Sequence, residues 1–220
     1  MSRFKNDWDK VLAPIFKHSK SKELSSFLQK ERSEQVIYPE SENVFNAFNY
    51  CPFSDVKVVI ISQDPYYTPE MALGYAFGVP STTPPNKVPP SLKTIISEVE
   101  RSYGKFQGDI SLINWVKQGV LLLNTALTVR KGEPGSHAKE WTWFTEEVIK
   151  SFESTTGIVF LLWGKHAQRY DKFINPMKHN ILYAGHPSPL NSSKDKFIGC
   201  GHFIKTNEIL ADYGKHEIEW

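Results

Sequence analysis

The chain has 220 residues, 40% of them hydrophobic and 13% aromatic, enough for one well-buried core, and a single domain over 1–220 is expected. Its 26 basic and 24 acidic residues balance to a net charge of +2, so charge alone identifies no polyanion partner. The N-terminal MSRFKNDWDK has no apolar signal region, and the longest apolar runs, VLLL and IVFLLW, are too short to cross a bilayer, so a soluble protein without membrane association is expected. Cys51 and Cys200 form no CxxC pair, which argues against a disulfide framework and fits a reducing compartment. The seven histidines are scattered without metal-ligand spacing, so no catalytic metal is expected.

In chain order, residues 1–50, with patterns such as WDKVLAPIF and ENVFNAFNY, read as helices that precede a sheet. VKVVIIS (56–62) is the first of four continuous apolar runs, the others being GVLLLN (119–124), GIVFLLW (157–163) and NILYAG (180–185). Continuity without alternation predicts strands covered on both faces. PSTTPPNKVPPS (80–91) has five prolines in twelve residues and reads as a stiff loop, excluded from helix and central strand by the missing N–H donors. SLKTIISEVERSY (91–103), with Ser91 as N-cap, EWTWFTEEVIKSF (140–152) and KHAQRYDKF (165–173) are the helices expected between the strands. Strands alternating with helices imply a three-layer α/β/α sandwich with a central, mostly parallel four-stranded sheet.

Sites in such sheets form at the carboxyl ends of the strands. The four runs end in Gln63-Asp64, Asn124, Trp163-Gly164 and Gly185-His186-Pro187-Ser188, which brings an acid, an amide, a glycine turn and an imidazole to one edge. Singly, Asp64 and Asn124 read equally well as caps and His186 as a satisfied loop histidine; together at one edge they read as a site. With no nucleophile elbow, metal set or phosphate loop, an Asp and a His point to hydrolysis by an activated water or to a cationic transition state, of which glycosidic cleavage is one case.

SQDPYY (62–67), ALGYAFGV (72–79), the loop ending in PPS (89–91), GVLLLNTALTVR (119–130), VFLLWGKHAQ (159–168) and GHPSPL (185–190) resemble, in order and spacing, the family 1 uracil-DNA glycosylases. IYPESENVFNAFNYCPF (37–53) is similar to that family's lead-in and FIGCGHFIKTNEIL (197–210) to its closing helix. The resemblance implies excision of uracil from DNA without metal or cofactor. It implies Asp64 as holder of the attacking water and His186 as donor to the departing base. Asn124 and the Gln63 backbone would orient uracil, Tyr66 would exclude the thymine methyl, and Phe77 would stack on the base. Pro89, Pro90, Ser91, Gly164, Lys165 and Ser188 would grip phosphates, while Leu190 would enter the vacated stack.

The implied partners are uracil-containing DNA, single- or double-stranded, and a proteinaceous glycosylase inhibitor; the expected state is a monomer in the cytoplasm, or in the nucleus of a eukaryote. Ser62 and Tyr67 stand where most members have glycine and histidine, and the stretch NSSKDKFIGC after Leu190 is one residue longer than usual and lysine-bearing. Tyr67 leaves rate and part of the DNA grip open, so the rival reading is a catalytically weakened DNA-binding or scaffold member of the same fold. A relative specific for another damaged base and a generic α/β hydrolase are the lesser alternatives.

Overall fold

The structure, a computed structural model, describes residues 4, 6–191 and 196–220; residues 192–195 of the lysine-bearing stretch lie outside the described residues. The strands are β1 (Ile37–Tyr38), β2 (Val58–Ser62), β3 (Val120–Asn124), β4 (Val129–Arg130), β5 (Val159–Trp163) and β6 (Asn180–Ala184). The helices are α1 (Trp8–Lys17), α2 (Ser19–Glu34), α3 (Asn46–Tyr50), α4 (Pro90–Tyr103), α5 (Ile113–Lys117), α6 (Ala138–Ser151), α7 (Gly164–Gln168) and α8 (His202–Asp212).

The four apolar runs form the expected parallel sheet, in the order β3-β2-β5-β6. Every residue of β3 and β5 is buried, as are the first four of β2, because helices cover both faces. Phe160 and Trp163 are an odd number of residues apart on β5 and so point to opposite faces. Phe160 meets Phe152, at the end of α6, with ring centroids 5.8 Å apart, and Phe152 in turn meets Trp8 of α1 at 6.1 Å. On the other face Trp163 meets Phe203 of α8 at 6.2 Å, and Phe203 meets Trp115 of α5 at 5.8 Å. Aromatic rings of this size, removed from water on both sides, supply much of the apolar burial that holds the sheet.

Four local expectations are corrected. The fourth run is an edge strand, with Asn180 to Leu182 half-buried and Tyr183 52% exposed, whereas the other edge, β3, stays buried because α3 and α5 pack over it. Ser91 is not the N-cap of α4: Pro89 takes that position and Pro90 starts the helix, since its fixed φ suits the first turn and its missing N–H has no intrahelical partner to lose. The proline loop also contains a 3-10 turn, Pro85–Lys87. The stretch 165–173 divides into α7 and a separate 3-10 turn, Asp171–Phe173.

A two-stranded antiparallel ribbon, β1 with β4, was not legible in the sequence: two residues per strand are too few for any periodicity. Among the described residues, no helix is long and apolar enough to cross a membrane.

Candidate functional site

The register decides where the site lies. Val58, Val120 and Val159 stand level at one end of the sheet, so Ser62 and Asn124 are level at the other, and Trp163 pairs with Ala184 beside them. The chain leaves all four strands along this carboxyl edge. A cavity of about 90 Å³ sits there, lined by six of the predicted residues: Asp64, Tyr66, Phe77, Ser91, Asn124 and His186. Ser62, Pro65 and Tyr75 complete its wall.

Asp64 is fixed on one side only. Its Oδ2 accepts the Gly135 N–H at 2.8 Å, while its buried Oδ1 has no hydrogen-bond partner among the described residues. Burial raises the carboxyl above its ordinary pKa, and the bonds from Gly135 and the Gln63 side chain oppose that rise. Asn124, almost fully buried, likewise has an Oδ1 without a partner among the described residues. Buried acceptors are nearly always satisfied, so two left open on one cavity mark a place where a ligand is to be bound.

His186 has a defined tautomer. The Ser188 N–H donates to His186 Nδ1 at 3.0 Å, which requires a lone pair there and leaves the proton of the neutral ring on Nε2. Burial pushes the imidazole pKa down, keeping the ring neutral at physiological pH. Gly164 is needed for His186 to sit where it does: its φ is +83°, and a Cβ there would lie 2.8 Å from His186 Cβ. Gly164 and Ser188, predicted as phosphate contacts, therefore also bear directly on the imidazole.

Tyr66 and Phe77 are tied together, since the Tyr66 hydroxyl donates to the Phe77 carbonyl at 2.8 Å. Burial holds that phenol protonated. Phe77 adopts φ +66°, sparsely populated for an aromatic residue, and its ring packs against Trp163 at 5.7 Å. Such a conformation costs about 1–3 kcal/mol and persists where the surroundings enforce it.

The remaining predicted residues surround the mouth or lie behind it. Pro89 and Pro90 open α4, and Lys165 is exposed on the first turn of α7. Leu190 is 92% exposed in the turn whose backbone is held by Ser188, which accepts from Leu190 N (3.2 Å) and Asn191 N (2.9 Å). Gln63 is exposed and does not line the cavity, and its carbonyl is occupied by Ala126 N at 2.9 Å and Thr125 Oγ1 at 3.0 Å. Tyr67, 42% exposed, also lies off the cavity wall, and its carbonyl accepts the Gly132 N–H at 2.9 Å.

Several supporting residues escaped the sequence reading. Thr125 joins the ends of β2 and β3: its N–H donates to Ser62 O at 2.9 Å, its hydroxyl donates to Gln63 O, and His166 Nε2 lies 2.8 Å from Thr125 Oγ1. Thr145 Oγ1 donates to the Thr125 carbonyl at 2.8 Å. Glu98, buried on α4, accepts the N–H groups of Gly199 (2.7 Å) and Gly201 (3.0 Å) and so ties the segment returning from the Leu190 turn to the helix that carries Ser91. The one signal for Thr125 was its place directly after Asn124 at a strand end.

A sequence profile described as the Uracil DNA glycosylase superfamily matches residues 48–211. Uracil-DNA glycosylases of Bacillus cereus and Tolumonas auensis are each 44% identical to the chain, over 98% and 97% of its length and 96% of theirs. Mimivirus uracil-DNA glycosylase superposes with a TM-score of 0.90 at 30% identity, covering 97% of this chain and 85% of that one. A tyrosine-to-leucine variant of the mimivirus protein, solved in complex with UGI, gives 0.89 at 30% identity, with coverage of 97% and 87%. Profile, full-length relatives and fold agree, and the chain belongs to the uracil-DNA glycosylase superfamily.

Proposed function

We propose that this chain is a monofunctional uracil-DNA glycosylase, which hydrolyses the N-glycosidic bond of a flipped-out deoxyuridine, leaves an abasic site and so begins base excision repair. The observation that carries the residue assignment is the pairing, across one small cavity, of a half-satisfied carboxylate with an imidazole whose proton is on Nε2.

As the bond breaks, positive charge develops on the sugar and negative charge on the uracil oxygen. Asp64, as the anion, faces the first of these and holds or deprotonates the attacking water through its open oxygen. His186 donates its Nε2–H to the second. A neutral donor suffices, because it is aimed at charge that appears only in the transition state.

The Asn124 amide offers one acceptor and one donor to the pairing edge of uracil. Cytosine reverses that pattern and would leave each mismatched buried group unpaired, at a cost of roughly 1–3 kcal/mol. Tyr66, immobilised through its bond to Phe77, is the wall that a thymine methyl would strike. Phe77 stacks on the base, and the Gln63 backbone contributes through its N–H, since its carbonyl is engaged. Pro89, Pro90, Ser91, Gly164, Lys165 and Ser188 grip the phosphates and set register without reading sequence. Leu190, projecting and apolar, fills the stack left by the extruded nucleotide.

The substrate is uracil-containing DNA, single- or double-stranded. A proteinaceous inhibitor is a further partner, by analogy with the mimivirus relative solved in complex with UGI. With bacterial relatives of nearly equal length, the chain is assigned to the cytoplasm. The weakened-scaffold alternative is not favoured: Asp64, Asn124 and His186 all line the cavity, and Tyr67 does not.

Incubating the protein with a single-uracil oligonucleotide and a chelator, followed by alkali, tests the assignment. Strand scission is expected, with Asp64→Asn essentially inactive. Intact strands would overturn the function, and an active Asp64→Asn would overturn the role given to that residue.

A further inference from the structure

The Asp64 carboxylate is held by a backbone group that belongs to neither its own strand nor a neighbouring one. Gly135 lies in the segment 131–136, between Arg130 at the end of β4 and His137 just before α6. This segment flanks the SQDPYY stretch at two points, Gly135 N–H to Asp64 and Gly132 N–H to Tyr67 O. Locally it is a chain of turns, closed by Arg130 N donating to Ser136 Oγ at 2.9 Å, and both of its glycines have φ near +80°, at +76° and +79°.

What fixes its ends is a carboxylate on α2. Glu31 is 6% exposed and takes both Arg130 Nε and Arg130 Nη2, the latter at 2.7 Å. It also lies 3.1 Å from His137 Nε2. The other side of that ring shows which way the proton points. His137 Nδ1 is 2.8 Å from Thr128 Oγ1, and Thr128 already accepts the Trp141 indole N–H at 2.7 Å. The Thr128 hydroxyl is then free to donate to Nδ1, and the neutral ring donates from Nε2 to Glu31. Three donors thus converge on one buried anion, two from the start of the segment and one from its end. The Arg130 guanidinium, foremost, holds the Glu31 carboxyl down at about 2, so the anion persists throughout the working pH range.

We propose that Glu31 is a positioning residue for uracil excision: by clamping Arg130 and His137 together it keeps the Gly135 N–H aimed at the Asp64 carboxylate. This rests on the reading of Asp64 as the catalytic carboxylate. A backbone donor favours the charged form of the acid it meets, and burial of Asp64 works against that form. If the clamp is loosened, the N–H drifts, the anion is less favoured and the water-holding oxygen loses its orientation. Displacements of an ångström at such a group cost up to about 100-fold in rate.

The test is steady-state kinetics of Glu31→Gln on a uracil oligonucleotide across the acidic and neutral range, with thermal melting alongside. The expected result is a kcat lowered roughly 10-fold, KM within about two-fold of wild type, and an acidic limb displaced upward by about half a pH unit or more. His186, Tyr66 and Tyr75 share the cavity and His166 lies behind Thr125. Burial lowers both imidazoles and raises both phenols in wild type and variant alike, so the displacement is read as a difference.

Leu24→Ala, which weakens the same helix away from the segment, should lower the melting temperature with the limb unmoved. Should Glu31→Gln not fold, Arg130→Lys, which keeps the charge but loses the two-pronged grip, carries the same expectation. A folded variant with unchanged kcat and limb overturns the proposal. An active Asp64→Asn instead overturns the reading beneath it, so the two failures are separable.

Discussion

Replacing Thr125 by valine removes one hydroxyl and nothing else of comparable size, and that hydroxyl is the meeting point of three elements. It reaches Gln63 O at the end of β2 and His166 Nε2 of α7, while Thr125 itself follows β3. One proton and one lone pair account for both bonds: Thr125 donates to the carbonyl and accepts from the imidazole. Gln63 O retains its bond from Ala126 N in the variant, so the largest loss is a half-buried His166 N–H left unpaired, costing about 1–3 kcal/mol. For a chain of this size, about 2 kcal/mol lowers the melting temperature by roughly 4–8 °C.

The kinetic consequence follows from position. Gln63 precedes Asp64, and Thr125 follows Asn124, so freedom at this junction reaches the Asp64 carboxylate and the Asn124 amide together. A kcat lowered by about 10- to 100-fold is expected from loss of near-attack geometry. Thr125→Ser keeps the hydroxyl and should restore most of the rate. The double variant Thr125→Val/His166→Leu removes both polar partners and should regain stability over Thr125→Val without regaining kcat. Melting and single-turnover kinetics of the four proteins decide it. Equal activity and stability of the valine and serine variants would refute the reasoning.

Two further outcomes are expected. His202 is buried beside the Trp163 indole, and burial pushes its pKa down to about 4 from 6.5. Because the folded value lies below the unfolded one, the unfolded chain binds the extra proton between them. Stability from this residue is complete above about pH 6.5 and is lost as pH falls toward 4, by about 3 kcal/mol. Urea denaturation at both ends of that window should show the loss in wild type and a much flatter profile in His202→Gln; equal slopes would refute it. The stabilisation from Glu31, whose pKa is lowered from 4.5 to about 2, begins to fall near pH 4.5 and is lost mostly below that window. Leu190→Ala, at a nearly fully exposed position, should leave melting unchanged while slowing excision from double-stranded more than from single-stranded uracil DNA. Equal slowing on both would remove Leu190 from the role of wedge.

The sheet was legible because burial on both faces forces continuous apolar runs, and three of the four runs are fully enclosed. The fourth differs: NILYA is apolar enough to suggest cover on both faces, and only the packing shows that β6 is left partly open while β3, the other edge, is covered. A serine before an apolar stretch is the usual cap signal, but Ser91 lies inside α4, because the proline at the first helical position sets the boundary two residues earlier.

By itself the sequence brought Asp64, Asn124 and His186 to one place, because each ends an apolar run and the parallel topology sends such ends to one edge, where all three line one cavity. Tertiary structure alone decided how those groups are held. The Gly135 bond to Asp64 spans 71 residues and the clamp of Glu31 on Arg130 and His137 spans 99 and 106. Hydrogen bonds between residues so far apart follow no helical or strand period, and a glycine N–H carries no side chain to announce it. The proton on His186 Nε2 is likewise set by a backbone donor two residues on, through a turn geometry that composition does not encode.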